Sequence, residues 1–195
     1  MGRSCNISRV TRETDIKMNF DLDGSGKAEI KTGIGFFDHM LNSFARHGFF
    51  DLDVVVKGDL EVDTHHTIED TGIVLGSAIK KALGDKTSIK RYGSMILPMD
   101  ETLVLCAVDL SGRPYFRFDA PFTAERVGDF ETEMVKEFFY AVSCASEMNL
   151  HIRKLDGENN HHIIEGIFKA FAKALDEATM LDGRINGVLS TKGTL

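Results

Sequence analysis

Thr64-His65-His66-Thr67-Ile68-Glu69 and Asn160-His161-His162-Ile163-Ile164-Glu165 are one pattern written twice, ninety-six positions apart. A chain of 195 residues that repeats a block at nearly half its own length invites a search for more self-similarity. Glu13-Thr14 precedes Phe20-Asp21-Leu22-Asp23-Gly24, and Glu101-Thr102 precedes Val108-Asp109-Leu110-Ser111-Gly112, at an offset of 88. Phe36-Phe37-Asp38-His39-Met40-Leu41 falls opposite Val135-Lys136-Glu137-Phe138-Phe139 at an offset of about 98. Three blocks in the same order, with offsets that drift as loop insertions would make them, read as a tandem duplication.

The periodicities agree. Residues 6–23 and 27–32 are expected as two strands around Asp23-Gly24-Ser25-Gly26, which reads as a hairpin turn. Phe37, Met40, Leu41 and Phe44 recur at helical spacing over 36–47, the stretch 51–56 alternates as a strand, and 65–83 is a long helix. The second half repeats the order, with strands at 100–110 and 114–119, a helix at 131–146, a strand at 149–155 and a helix at 161–179. The expected fold is α+β: tandem β-β-α-β-α halves, each a sheet with helices packed on one face. No Gly/Ser linker divides them, so residues 1–195 are expected to form one unit. The first repeat is placed at about 5–92, the second at about 93–185, and a substrate-binding tail at 186–195.

Composition narrows the function. A net charge of −7 argues against a nucleic-acid partner. No apolar run approaches a membrane span, and the N-terminal stretch lacks the apolar region of a signal peptide. Three cysteines without CxxC spacing fit a reducing cytoplasm. Asp21-x-Asp23-x-Ser25-Gly26 opens like a calcium loop, but Thr32 stands where the closing glutamate belongs. Gly33-Ile34-Gly35 is followed by Asp38 rather than glycine, so no dinucleotide fingerprint is present.

The doubled block carries the chemistry. Positions i and i+4 share a helix face, so His65 and Glu69 can hold one ion, while His66 is turned about 100° away and must serve another. The same holds for His161 and Glu165 against His162. His39 falls opposite Glu137, which adds one further donor per half. The ligand inventory is His39, His65, His66, Glu69, Glu137, His161, His162 and Glu165: five imidazoles, three carboxylates and no thiolate. Such a set suits manganese or iron with open coordination positions better than closed structural zinc. One such block alone would be read as solvated residues at a helix start. Its recurrence in a duplicated frame points to metal. Both blocks open helices, with Thr64 or Asp63 and Asn160 or Asn159 available as caps. His151 reads as structural, and His47 ends a helix, where a cation is favoured anyway. Among the sparse cations, Arg91, Arg113, Lys169 and Lys192 are placed to hold an anionic group, and Lys169 follows Glu165 at i+4.

GFFDHML (35–41), DTHHTIEDTGIVLG (63–76), GENNHHIIEGIFKAFAKAL (157–175) and STKG (190–193) resemble the imidazoleglycerol-phosphate dehydratase family, in its monofunctional form, from about residue 5 onward. The resemblance implies two Mn2+ per active site, with another divalent transition metal such as iron as the substitute. It implies the eight ligands above, with Glu137 where some relatives carry histidine. It implies phosphate contacts at Arg91, Arg113, Ser190 and Lys192, with Lys169 nearby, and an acid/base carboxylate at Glu13. His47 and Asp100 match other substrate-pocket positions, with His47 a catalytic candidate beside Glu13. Ser43 stands where many relatives have glutamine. The implied assembly is a hollow homo-oligomer of twenty-four subunits built from trimers, with sites shared between subunits. The implied reaction turns imidazole glycerol phosphate into imidazole acetol phosphate and water. A ring imidazolate would expel the adjacent hydroxyl through a diazafulvene-like intermediate. A dinuclear phosphoester hydrolase and a metal-storage cage are the alternatives.

Overall fold

The computed structural model describes residues 2–195. Its first half runs β1 (Ser4–Val10), β2 (Thr14–Asp21), β3 (Ala28–Lys31), α1 (Gly35–Gly48), β4 (Asp51–Gly58) and α2 (His65–Leu83). The second runs β5 (Tyr92–Met99), β6 (Thr102–Asp109), β7 (Tyr115–Asp119), the short pair β8 (Arg126–Val127) and β9 (Phe130–Glu131), then α3 (Met134–Ser146), β10 (Asn149–Asp156) and α4 (Asn160–Thr179). The α+β class holds, but the first half carries one strand more than its periodicity suggests, and the second carries three more, β5 and the short pair β8–β9. The expected strand 6–23 is the hairpin β1–β2. Its turn uses no glycine: Thr11 Oγ1 accepts from the backbone N–H of Glu13 (3.1 Å) and Thr14 (2.9 Å).

The sheets have matching orders, β1-β2-β4-β3 and β5-β6-β10-β7. In each, the last pairing is parallel and the rest are antiparallel. Asp23-Gly24-Ser25-Gly26 is therefore not a hairpin turn, because β4 lies between β2 and β3. The carboxylate of Asp51 holds that loop instead, accepting from the N–H of Ser25 at 2.7 Å and of Lys27 at 3.0 Å. Those amides keep Asp51 below the usual carboxylate range.

Alternation gives each sheet one apolar face: Ile16, Met18 and Phe20 are buried, while Lys17 and Asn19 are exposed. The four helices cover those faces. Helix α2 lies on β1 and β2, α4 on β5 and β6, and the helices of the two halves pack against each other as α2 on α3 and α1 on α4. One core cluster therefore spans both halves, and Phe44 of α1 stacks on Phe171 of α4 at 5.5 Å. Two close approaches depend on glycine. A Cβ on Gly72 would lie 2.7 Å from the carbonyl of Phe138, and one on Gly93 would lie 1.9 Å from that of Ala174. The α1–α4 contact is what brings His39 beside His161 and Glu165. No helix among the described residues is long and apolar enough to cross a membrane.

Candidate metal centre

Helix α4 is capped by Asn159, whose side chain accepts from the N–H of His161 (2.9 Å) and His162 (3.3 Å). This fixes the first turn and sends the two rings to different faces. His161 and Glu165 share one face, as their spacing requires, with Nε2 and Oε2 3.1 Å apart. His39 enters from α1 and places its Nε2 3.3 Å from the same oxygen. The ligand atoms of His39, His161 and Glu165 all lie within 4.8 Å of one another, and this is the one such set of three among the described residues. Two imidazole nitrogens and a carboxylate oxygen fit a divalent transition ion.

Lys169, one turn further along α4, places its Nζ 2.5 Å from the other oxygen of Glu165. Burial by itself would raise the Glu165 carboxyl, but the Lys169 ammonium and the bonds from His161 and His39 outweigh it and hold it below the usual range.

The first-half block is looser. In α2, His65 Nε2 is 3.6 Å from Glu69 Oε2, and the Asp63 side chain accepts from the N–H of His65 at 2.8 Å. Glu137, on the first turn of α3, stands outside the three-donor set.

The second histidine of each block is bracketed by carboxylates. His66 Nδ1 is 3.0 Å from Asp59, and its Nε2 faces Glu13 at 3.8 Å. His162 Nδ1 is 2.8 Å from Glu101, and its Nε2 faces Asp100 at 3.7 Å. The bond to Asp59 raises the pKa of His66, and the bond to Glu101 raises that of His162. Glu101 itself is pulled down to about 2 by His162 and by the N–H of Asn159. Asp59 and Glu101 carried no spacing signal toward the histidines. Only the offset pairing Glu101 with Glu13 hinted at a role.

The other candidate cations sit elsewhere. Arg91 precedes β5 in a left-handed conformation (φ 70°), and its N–H donates to the carbonyl of Ala178 near the C-terminal end of α4. Its guanidinium forks onto Asp109 (2.7 and 3.2 Å) and donates to the carbonyl of Leu189 at 2.7 Å. Arg91 and Ser190 line one surface cavity. Lys192 is exposed on the same tail, its N–H donating to Ser190 Oγ, and Arg113 is exposed on the β6–β7 loop. His47 donates from Nδ1 to the carbonyl of Ser43 (2.9 Å), and the side chain of Ser43 is buried. Asp100, also left-handed (φ 50°), begins the turn at the opposite end of β5 from Arg91. That strand is eight residues long, about 26 Å at 3.3 Å per residue. The path from His161 to Ala178 along α4 is about 26 Å as well, at 1.5 Å per residue. Within one chain, the Arg91–Ser190 end and the histidine end are thus far apart.

Matched sheets closed over four helices, with histidines and carboxylates gathered at the helix starts, define a duplicated α+β protein built around an imidazole–carboxylate centre. The family model described as imidazoleglycerol-phosphate dehydratase matches residues 32–175. The chain is 67% identical to the imidazoleglycerol-phosphate dehydratase of Lachnoclostridium phytofermentans and 62% identical to that of Acetivibrio thermocellus, each over 100% of both chains. Its structure is similar to that of the Staphylococcus aureus imidazoleglycerol-phosphate dehydratase, with a TM-score of 0.84 and 40% identity, covering 92% of this chain and 99% of that one. It is equally similar to the Pyrococcus furiosus protein, at a TM-score of 0.84 and 39% identity, covering 97% of this chain and 100% of that one. The chain belongs to the imidazoleglycerol-phosphate dehydratase family.

Proposed function

We propose that this hydro-lyase of histidine biosynthesis works in the cytoplasm and removes water from imidazole glycerol phosphate with two divalent ions, Mn2+ first among them. Its sites are completed by neighbouring subunits of a twenty-four-subunit particle built from trimers. The observation that carries the reading is the convergence of His39, His161 and Glu165 from two helices of different halves. When bound, the ions would supply Lewis acidity toward the substrate's ring nitrogens and hold the ring in place. The residues to hold them are His39, His161 and Glu165 in one group and His65, Glu69 and Glu137 in the other, with His66 and His162 serving the equivalent two ions of the sites shared with neighbouring subunits.

The chain's own groups do the rest. The hydroxyl beside the ring leaves, the neighbouring carbon gives up its proton, and hydroxyl and proton together are the water released. The resulting enol becomes the ketone by tautomerisation. Glu13 is exposed, and its carboxylate faces His66, so it can receive that proton and pass it to the departing hydroxyl as water. Arg91, Arg113, Ser190 and Lys192 anchor the phosphate and orient the carbon chain, with Lys169 a further cation for it. A ring, three carbons and a phosphate cannot reach across the separation between Arg91 and His161. This supports a site assembled from more than one subunit.

The purified protein given imidazole glycerol phosphate should form imidazole acetol phosphate without freeing inorganic phosphate. Phosphate release in place of ketone formation would make it a hydrolase instead.

A further inference from the structure

We propose that Asp59 and Glu101 are positioning residues that hold His66 and His162 by Nδ1, so that Nε2 of each ring is presented to a divalent ion. This rests on the metal reading above and adds two residues to it. A carboxylate only accepts, so the ring nitrogen 3.0 Å from Asp59, or 2.8 Å from Glu101, carries the proton. A neutral ring with its proton on Nδ1 keeps its lone pair on Nε2, the form a metal binds. Neither Nε2 is committed: Glu13 lies 3.8 Å and Asp100 3.7 Å away, beyond hydrogen-bond range.

Glu101 is itself fixed, accepting from the N–H of Asn159 at 3.0 Å and from Thr102 Oγ1 at 3.0 Å. Asn159 is the residue that caps α4 and bonds the N–H of His162. Cap, carboxylate and imidazole are one connected unit. Carboxylates behind a ligating imidazole set its orientation and raise its basicity.

The duplication gives this arrangement a division of labour. Glu101 is the counterpart of Glu13 at the offset of 88, yet the two face opposite nitrogens of their histidines. In the first half Asp59 takes the Nδ1 position, which leaves Glu13 free for proton transfer. In the second half Glu101 takes it and is committed to the ring.

The test uses the whole protein with Mn2+ or Co2+ as the probe. Asp59→Ala and Glu101→Ala should each bind Mn2+ about 10–100-fold more weakly. The visible spectrum of the Co2+-loaded form should change, any fall in the Tm of the chelated protein should be too small to account for the lost affinity, and Glu101→Gln should recover most of it. Wild-type affinity and an unchanged Co2+ spectrum in both alanine variants would overturn the assignment while leaving the metal reading intact. So would weaker binding that follows a lowered Tm of the chelated protein and leaves the spectrum unchanged. A wild-type protein that takes up no divalent ion would overturn both.

Discussion

The ammonium of Lys169 lies 2.5 Å from one oxygen of Glu165, whose other oxygen meets His161 and His39. The one three-donor set among the described residues therefore has a cation built into its edge. The duplication places Ile73 at the position of Lys169, so the first-half block has no such partner. Lys169→Met removes a positive charge from beside the ion and should tighten Mn2+ binding at pH 7.5 by on the order of 1 kcal/mol. Burial of Glu165 is then opposed only by the bonds from His161 and His39 and its pKa rises, so metal loss on acidification should begin at a higher pH than in the parent protein. Calorimetric titration with Mn2+ at several pH values measures both; looser binding at pH 7.5 would contradict the charge argument.

The distance between Arg91 and the histidine end makes a prediction about mixed assemblies. Glu13→Gln and Arg91→Ala should each lose most turnover alone. Co-expressed, they should regain a substantial fraction, because some sites then combine an intact Glu13 from one chain with an intact Arg91 from another. Absence of recovery in verified mixed particles would place both residues in one chain's site.

Gly93 lies where β5 crosses α4 with no room for a side chain. Gly93→Ala should cost about 1–3 kcal/mol through overpacking. Thermal unfolding of the chelated protein should show a lower Tm with the metal donors unaltered, and an unchanged Tm would mean that the close approach is not maintained.

Much of this was legible in the chain. The doubled block gave the duplication, and the i, i+4 rule gave the shared face of His161 and Glu165, because both are local or periodic facts. The hairpin β1–β2 was hidden because the hydroxyl of Thr11 does the work that a glycine or proline would advertise. The true place of β3 was hidden because strand order depends on the crossover through α1, and nothing in Asp23-Gly24-Ser25-Gly26 encodes it. Glu101 escaped because its partner comes from tertiary structure, His162 lying 61 positions away, and Asp59 escaped because its reach to His66, seven positions on, depends on the path of the loop between β4 and α2.

Charge placement predicts how the metal-free protein responds to pH. The Arg3 bond depresses Asp23, the His162 bond depresses Glu101 to about 2, and the Lys80 bond depresses Glu147. A depressed carboxyl contributes stability that is present above its unfolded value, 3.8 or 4.5, and is lost as pH falls through the folded value. His66 and His162 are raised above 6.5, so their contribution is full below 6.5 and is lost as pH rises through the folded values. The Tm of chelated protein should therefore be highest between 4.5 and 6.5. Added Mn2+, which needs neutral imidazole, should stabilise increasingly as pH rises above that window. Tm measured against pH with and without Mn2+ checks both slopes, and a stabilisation by Mn2+ that is greatest at acid pH would contradict the ligand assignment.

The central claim is that bound divalent ions make imidazole glycerol phosphate reactive in this chain's hands. It is tested most directly by stripping the protein with a chelator, confirming the loss of metal by elemental analysis, and following imidazole acetol phosphate formation before and after adding Mn2+. Turnover should disappear with the metal and return with it. Stripped protein that dehydrates the substrate at the rate of the loaded form would contradict it.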